Sequence, residues 1–300
     1  MRVATNTVDS NIISQIQQLS AQQVQLQNEV STGLRITNPS DDPAAYSRVL
    51  SDNSQSSAIA QYGSNASAAL AVNQATVSSL TQVKSIADRA SQVGILGAGT
   101  IGPSAMNAYA SEVNQLIEQT VQLGNGKFNN NYLFSGTAVT TAPYSVSRDA
   151  QGNITSVSYS GNASQSSIPI SSTANIAPGS DSTTNQGLTT FMNNLVALRD
   201  ALNSGNTAAV STAQTSLLST ENAVINGISE LGAVQMRIQI NQDQQTSLSQ
   251  TLGKLVSDET GADLPSTVVK LTQAQNAYQA AIQSAASIMQ KSILTYLPVA

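Results

Sequence analysis

Apolar residues recur near both ends of the chain at alternating steps of three and four positions, which is the spacing of a coiled-coil face. The C-terminal series comprises Leu264, Val268, Leu271, Gln275, Tyr278, Ile282, Ala285, Met289, Ser292 and Tyr296. The N-terminal series comprises Ile12, Ile16, Leu19, Gln23, Leu26, Val30 and Gly33. This pattern predicts a long helix at each end, and each helix is expected to pack lengthwise against a partner.

The C-terminal face cannot stabilise its helix without a partner. Its apolar positions contribute roughly 10 to 20 kcal/mol when fully buried, whereas ordering a segment of this length costs more, at about 1.5 kcal/mol per residue. The partner is the N-terminal helix, another subunit, or both. We assign the packing role to Ile12, Ile16, Leu19, Leu26 and Val30 on the N-terminal side and to Leu264, Val268, Leu271, Tyr278, Ile282 and Met289 on the C-terminal side.

Between the two terminal series, the first part of the chain has apolar residues at helical spacing. It predicts helices over residues 40–62 and 64–93, and a third helix over 106–123 that ends at Gly124-Asn125-Gly126. After a β segment, helical spacing returns near Leu188. A long helix is then predicted from residue 207 to about residue 257, with apolar positions at heptad spacing.

The segment 137–186 changes to a period of two, which is typical of strands. Candidate strands lie at 144–147, 154–160 and 166–170, and Gly-Asn turns separate them. The sequence therefore predicts a small β unit inserted into a helical body. Because this unit joins the body at two nearby points, we expect its removal to leave the helical body folded.

These elements together predict a mainly α fold in which long coiled-coil-like helices from both termini form a helical bundle with a small inserted β domain. The predicted terminal coiled-coil inner domain comprises residues 1–40 and 262–300. The predicted helical bundle domain comprises residues 41–136 and 187–261. Residues 137–186 form the predicted outer β domain.

The composition predicts a neutral, amide-rich surface, which suits packing against identical or related subunits. Only 10% of the 300 residues are charged, the net charge is -5, and the polar remainder is Ser, Thr, Asn and Gln. Such a surface does not repel copies of itself, although a secreted or low-complexity protein has a similar composition. The sequence has no basic stripe, so nucleic-acid binding is disfavoured.

The missing residue types exclude most catalytic sites. Without His or Cys, the chain has no Ser-His-Asp triad, no Cys nucleophile, no thiolate or imidazole metal site and no disulfide. We therefore expect a protein that is not an enzyme and carries no cofactor. No apolar run is long enough to span a membrane, and residues 1–20 lack the apolar core of a secretory signal.

One motif indicates a different class of protein. Residues Gly97 to Gly102 match the dinucleotide-binding pattern GxGxxG and precede a predicted helix, whose N-terminus would hold a pyrophosphate. That pattern requires a buried strand before the first glycine and an acidic residue after a second strand. Here the preceding residues are predicted to be helical. A helix-to-helix loop is the favoured interpretation, and a dinucleotide-binding enzyme is the remote alternative.

Two groups of carboxylates are candidates for acid–base chemistry or for an oxygen-ligand cation site. They are Asp41-Asp42 and the cluster of Asp258, Glu259 and Asp263. Each group lies at a predicted helix start or in the loop before one, where a carboxylate caps free backbone amides. Capping is therefore the preferred role for both groups.

The stretch 31–45, STGLRITNPSDDPAA, resembles the N-terminal signature of the flagellin and flagellar hook-associated protein family. Its NPSDDPAA part is more similar to a hook-associated form than to the common flagellin form. The segments NYLFSGT at 131–137 and AQNAYQAA at 274–281 resemble the same family. The candidate signature loop contains Gly33, Arg35, Pro39, Asp41, Asp42 and Pro43.

This resemblance implies a structural protein of the bacterial flagellum. In such proteins the terminal helices pair in an inner tube layer and a β domain projects outward. The implied function is a ring of subunits at the junction of hook and filament, with the hook-side junction protein (hook-associated protein 1) and flagellin as partners. It also implies type III export, a flagellar export chaperone on the C-terminal helix, and a secreted, extracellular location. A small flagellin, the filament subunit, is the closest alternative.

Overall fold

The computed structural model describes residues 2–99 and 102–294, and the side chains within 10–99 and 102–288. Its helices are α1 (Arg2–Thr32), α2 (Pro43–Ala98), α3 (Pro103–Gly124), α4 (Ser182–Asn203), α5 (Thr207–Thr260) and α6 (Leu264–Leu294). Three short antiparallel strand pairs are formed by β1 (Lys127–Phe128) with β2 (Asn131–Tyr132), β3 (Tyr144–Arg148) with β4 (Ile154–Tyr159), and β5 (Ile168–Pro169) with β6 (Asn175–Ile176). The predicted mainly α fold with a small β region is confirmed.

The chain divides into two compact units. One comprises Met1–Ser57 and Ser249–Ala300, and the other comprises Ala58–Leu248. The first unit contains α1 and α6, together with the start of α2 and the end of α5. The three-part division expected from the sequence stays a prediction.

Helix α2 corrects one prediction of the sequence pattern. Residues 40–62 and 64–93 were expected to form separate helices, but α2 is a single helix of 56 residues. A glycine inside a helix costs only about 1 kcal/mol relative to alanine, so Gly63 alone does not end it. On the C-terminal side of Gly63, Ala66 and Ala69 are fully buried, and their packing holds the helix together across that position.

The core of the larger unit lies among α2, α3, α4 and α5. Its fully buried side chains include Leu80 of α2, Ile117 of α3, Phe191 of α4 and Leu217 of α5, at 2% exposure or less. The close packing extends to Gly97 in α2, where an added Cβ would lie 2.4 Å from Cδ2 of Leu202. These helices therefore form one interdigitated core.

The β3–β4 hairpin is part of this core, which differs from the expected separate β unit. Tyr144, Ile154 and Val157 are buried among the core residues, and β4 contacts both α3 and α4. The Asn193 side chain of α4 bonds to both backbone groups of Val157, accepting from its N–H at 2.9 Å and donating to its carbonyl at 2.9 Å. Alternation identified the strands, but it did not show that their apolar side faces the helices. Removing residues 137–186 would therefore expose the helical core.

A second, smaller cluster joins the β5–β6 hairpin to α2 and α5. Ile170 and Ile176 pack there with Ala66, Ala69 and Ile238. The predicted strand at 166–170 is reduced to the two residues of β5. The β insert thus contacts the helical body at two places within the larger unit.

Candidate assembly site

Helices α1 and α6 of the smaller unit pack against each other along their lengths. The two helices meet where the chain leaves α1 and enters α6: Leu34 forms an antiparallel bridge with Gly261. The Arg35 N–H donates to the Thr260 carbonyl at 2.8 Å, and the Ala262 N–H donates to the Gly33 carbonyl at 2.9 Å. Because α1 runs toward this bridge and α6 runs away from it, the pair is antiparallel.

The predicted face of α1 lies toward the interior of the smaller unit. Leu26 is buried, and the other predicted packing residues of α1 are half-buried: Ile12, Ile16, Leu19 and Val30. Ile13 and Val24 lie on another side of the helix and are 54% and 53% exposed. The residues of the α1 heptad series thus lie on a less exposed side of the helix, and their packing role stays a prediction.

The packed face of α6 is rotated relative to the prediction. Leu271 and Tyr278 are half-buried as expected, but Leu264, Val268 and Ile282 are 44%, 46% and 43% exposed. The interior positions are instead taken by small side chains that precede the predicted ones by one residue, Thr267, Ala274 and Ala281. Small residues allow two helix backbones to approach closely, which large apolar side chains prevent. The Met289 side chain lies outside the described residues.

Helix α6 therefore has a second apolar face, which we call the outer face and define as Leu264, Val268 and Ile282. Val268 and Ile282 are separated by two heptads and so lie on the same side of the helix. The sequence analysis did not separate this face from the packed one, although the alternation of Thr and Ala with larger residues was a usable signal. Its assignment as a contact with another subunit stays a prediction.

The signature loop, residues 33–43, is held by its own carboxylates. Gly33 has a φ of +71°, a left-handed conformation that favours glycine after a helix. The Asp41 carboxylate accepts from the N–H groups of Thr37 at 3.0 Å and Asn38 at 2.8 Å. These two bonds hold the pKa of Asp41 below its ordinary value of 3.8, and the bond from Thr37 has the larger effect.

Asp42 caps α2, as the sequence predicted. Its Oδ1 accepts from the Ala45 N–H at 3.0 Å, and Pro43 is the first helical residue. That backbone bond is the main reason that the pKa of Asp42 lies below its ordinary value of 3.8. Asp41, in contrast, closes the turn before the helix. Pro39 lies within this turn and is exposed.

The second carboxylate group corrects the capping prediction. Helix α5 extends to Thr260, so Asp258 and Glu259 lie in its last turn and do not precede a helix. Glu259 pairs with Arg48 of α2 and lies 3.8 Å from Arg35 of the signature loop. The hydrogen bond that Arg48 donates to the Glu259 carboxylate is the main reason that the pKa of Arg48 is raised.

Arg35 also lies 3.8 Å from Asp42, and these ion pairs connect the signature loop to α2 and α5 within the smaller unit. Asp263 precedes α6, and its backbone carbonyl accepts from the Thr267 N–H at 2.8 Å. Across the described residues, His, Cys, Asp and Glu form no group of three that could hold a metal ion.

The glycine loop does not have the context of a dinucleotide site. Helix α2 runs through Gly97 to Ala98, so a helix precedes the loop where the dinucleotide pattern requires a strand. Gly102 is the N-cap of α3 and Pro103 is its first residue. Residues 100 and 101 lie outside the described part of the chain. The favoured interpretation, a connection between two helices, agrees with this geometry.

The helices that the structure describes include none with the length and apolar character needed to cross a membrane.

The chain matches the family described as the bacterial flagellin N-terminal helical region over residues 3–139. It is 29% identical over 148 residues to flagellar hook-associated protein 3 of Salmonella typhimurium, a match that covers 48% of this chain. This chain thus spans about half of that relative's length, 46%. It is 25% identical over 305 residues to flagellar hook-associated protein 3 of Escherichia coli, covering 93% of this chain and 96% of the relative.

Two solved structures share the fold. A Vibrio parahaemolyticus protein described as a flagellar hook-associated protein has a TM-score of 0.65 and 19% identity, and the match covers 74% of this chain and all of that one. The Bacillus cereus FlgL structure has a TM-score of 0.60 and 16% identity, covering 69% of this chain and 99% of that one. The curated relatives, the N-terminal match and this fold agree with the signature at 31–45. The chain is therefore similar to flagellin-related proteins that include flagellar hook-associated protein 3.

Proposed function

We propose that this protein is a structural subunit of the bacterial flagellum that forms a ring at the junction between hook and filament. The observation that carries the proposal is the exposed outer face of α6, which stays uncovered although the adjacent side of the same helix already packs on α1. Each of its three residues is more than two-fifths exposed. A large apolar side chain gains about 1.5 to 3 kcal/mol on full burial, so covering the remaining exposed part of all three contributes a few kcal/mol per contact.

A contact of this size suits a closed ring. One such contact is too weak to hold two monomers together at low concentration, but each subunit in a ring makes it with neighbours on both sides. We propose that the outer face of α6 packs against the exposed side of α1 in an adjacent subunit, where Ile13 and Val24 are available. The monomer would then stay soluble until it reaches the growing structure.

The larger unit offers a second exposed apolar face, on α5. Leu218, Ile225, Met236 and Ile240 are 46%, 38%, 61% and 61% exposed and follow a near-heptad spacing with Gly232 between them. The face is roughly 33 Å long and about 10 Å wide. That area of about 330 Å² falls below the roughly 800 Å² per partner of a stable protein complex. It therefore supports a lateral contact within a ring and does not support a free dimer.

The remaining partners follow from the family relationship. We propose that the ring contacts the hook-side junction protein (hook-associated protein 1) on one side and flagellin on the other. Before assembly, the apolar outer face of α6 is a suitable surface for a flagellar export chaperone. Export through the flagellar type III channel would deliver the protein to its extracellular location.

The closest alternative is a small flagellin, and the match to the flagellin N-terminal region is the observation that favours it. Electron microscopy of a deletion strain distinguishes the two functions. If the protein is the junction protein, its deletion leaves hooks without filaments, and flagellin is shed to the medium. If the protein is a filament subunit, its deletion leaves the junction assembled, and no other flagellin accumulates outside the cell. Intact filaments in the deletion strain would contradict both functions.

A further inference from the structure

A cavity of about 240 Å³ lies beside the β1–β2 hairpin in the larger unit. Two aromatic residues of that hairpin, Phe128 and Tyr132, line it and are half-buried. Its apolar wall continues with Leu133, Val139 and Ile168. The cavity is slightly smaller than the roughly 300 to 1,000 Å³ of pockets for drug-sized ligands, so it suits a ligand with a single ring.

The rim of this cavity carries free polar side chains. Asn129, Asn131 and Ser166 line it and are exposed, and none of their side chains forms a hydrogen bond with another described residue. An amide offers both donors and an acceptor, and a hydroxyl offers both functions. The rim can therefore bond to a ligand whose own groups both donate and accept.

The hairpin fixes the position of the rim amides. Asn129 and Asn130 have φ values of 47° and 67°, so both turn residues are left-handed. This is the geometry of the tight two-residue turns that connect antiparallel strands, and asparagine adopts it more readily than most residues do. Asn129 and Asn131 are therefore held at the rim by the backbone of a short turn.

The lining of the cavity is uncharged, which favours a neutral ligand over an ionic one. None of the described residues that line the cavity is Asp, Glu, Lys or Arg. Lys127 lies close by, but its Nζ is positioned over the Tyr132 ring at 4.4 Å from the centroid, where it supports the ring by a cation–π contact. The lining thus provides no charged partner for an ionic ligand.

We propose that this cavity binds one ring of a neutral sugar. A sugar ring has an apolar C–H face, which suits Phe128 and Tyr132, and an edge of hydroxyl groups, which suits the amides and hydroxyl of the rim. A purely apolar ring would fill the wall but would displace water from the rim without replacing its hydrogen bonds. This site is separate from the α1–α6 pair, so its failure would leave the proposed flagellar function intact.

The test is a titration of the full-length monomer with glucose, galactose and N-acetylglucosamine, followed by backbone amide NMR shifts. For a ligand with so few atoms, we expect saturable binding of at least one sugar with a dissociation constant on the order of 1 mM. The shifts should map to the β1–β2 hairpin. Asn131→Ala, at the rim, should weaken binding about fivefold, in line with the loss of one hydrogen bond.

Gln151→Ala is the matched control, because Gln151 is exposed in the turn between β3 and β4 and does not line the cavity. It should leave the affinity unchanged, and circular dichroism should show that both variants are folded. The proposal fails if none of the three sugars gives saturable shifts at the hairpin. It also fails if phenol binds there more tightly than every sugar and Asn131→Ala leaves sugar binding unchanged, since the cavity would then be an apolar cleft only.

Discussion

Replacing Ile154 by alanine tests whether the β3–β4 hairpin belongs to the core of the larger unit. Ile154 is the first residue of β4 and is fully buried among residues of α3 and α4. Its carbonyl also accepts from Nη1 of the buried Arg199 at 2.6 Å, which fixes the end of the strand on α4. Ile154→Ala removes three carbon groups at about 0.8 kcal/mol each and leaves a cavity, so the expected loss is about 3 to 4 kcal/mol.

The assay is urea unfolding of the purified monomer, followed by far-ultraviolet circular dichroism. In thermal unfolding the same loss should lower the midpoint by roughly 6 to 15 °C for a unit of this size. Ile240→Ala is the matched control, since Ile240 lies in the same unit and is 61% exposed, and it should cost less than about 1 kcal/mol. Equal, small losses in the two variants would refute the packing of the hairpin on the helices.

Gly136→Ala should lower the thermal unfolding midpoint of the larger unit more than Gly152→Ala does. Both glycines have positive φ values, but only at Gly136 would the added Cβ meet other atoms, the nearest at 2.3 Å. The pKa of Asp41 is lowered in the folded state, so its contribution to stability is present above its ordinary value of 3.8 and is lost as pH falls through the lower folded value. Amide exchange in the signature loop should therefore accelerate in acid relative to the rest of the chain, and Asp41→Asn should remove that pH dependence. Glu259→Gln, which leaves Arg48 without its ion-pair partner, should have only a small effect on the thermal midpoint because the Arg48 side chain is 60% exposed and the pair is screened by water. The same change should speed amide exchange at the bridge between the signature loop and α6.

The sequence predicted both terminal helices but not the side of α6 that faces α1. Heptad spacing is a local property, and it allows either Val268 or Thr267 to occupy the interior position. Hydrophobicity alone favours Val268. In the structure, Thr267 and Ala274 occupy the interior positions of α6 instead. The distance to which two helices can approach depends on the volumes of the side chains on both helices, and a local pattern describes only one of them.

The β insert shows the same limit in another form. The period of two located β3 and β4, since alternating side chains lie on opposite faces of a strand. It did not reveal what covers the apolar face. The hydrogen bonds between Asn193 and Val157 join residues that are 36 positions apart, so a local sequence pattern cannot predict them.

Some contacts of the signature loop could be predicted from local sequence, and others could not. Capping of α2 by Asp42 was predictable, because a carboxylate three residues before a free amide is a local arrangement. The pairing of Glu259 with Arg48 was not, since 211 positions separate them. Glu259 was assigned to a helix start only because the pattern ended α5 too early.

The most direct test of the proposed subunit contact is Ile282→Asp in the complete flagellated cell. Ile282 lies on the outer face of α6 and is 43% exposed, so a carboxylate there remains hydrated in the monomer. At a dry contact between subunits, the same carboxylate would be unpaired and costly to bury. Gln283→Asp, at the next exposed position, is the control that adds the same charge off this face.

The measurement is electron microscopy of flagella in both strains, with the amount of exported variant determined in the medium. The proposed contact predicts that Ile282→Asp is exported and folded but leaves hooks without filaments and flagellin in the medium, whereas Gln283→Asp gives normal flagella. Normal filaments and swimming with Ile282→Asp would contradict a subunit contact at the outer face of α6.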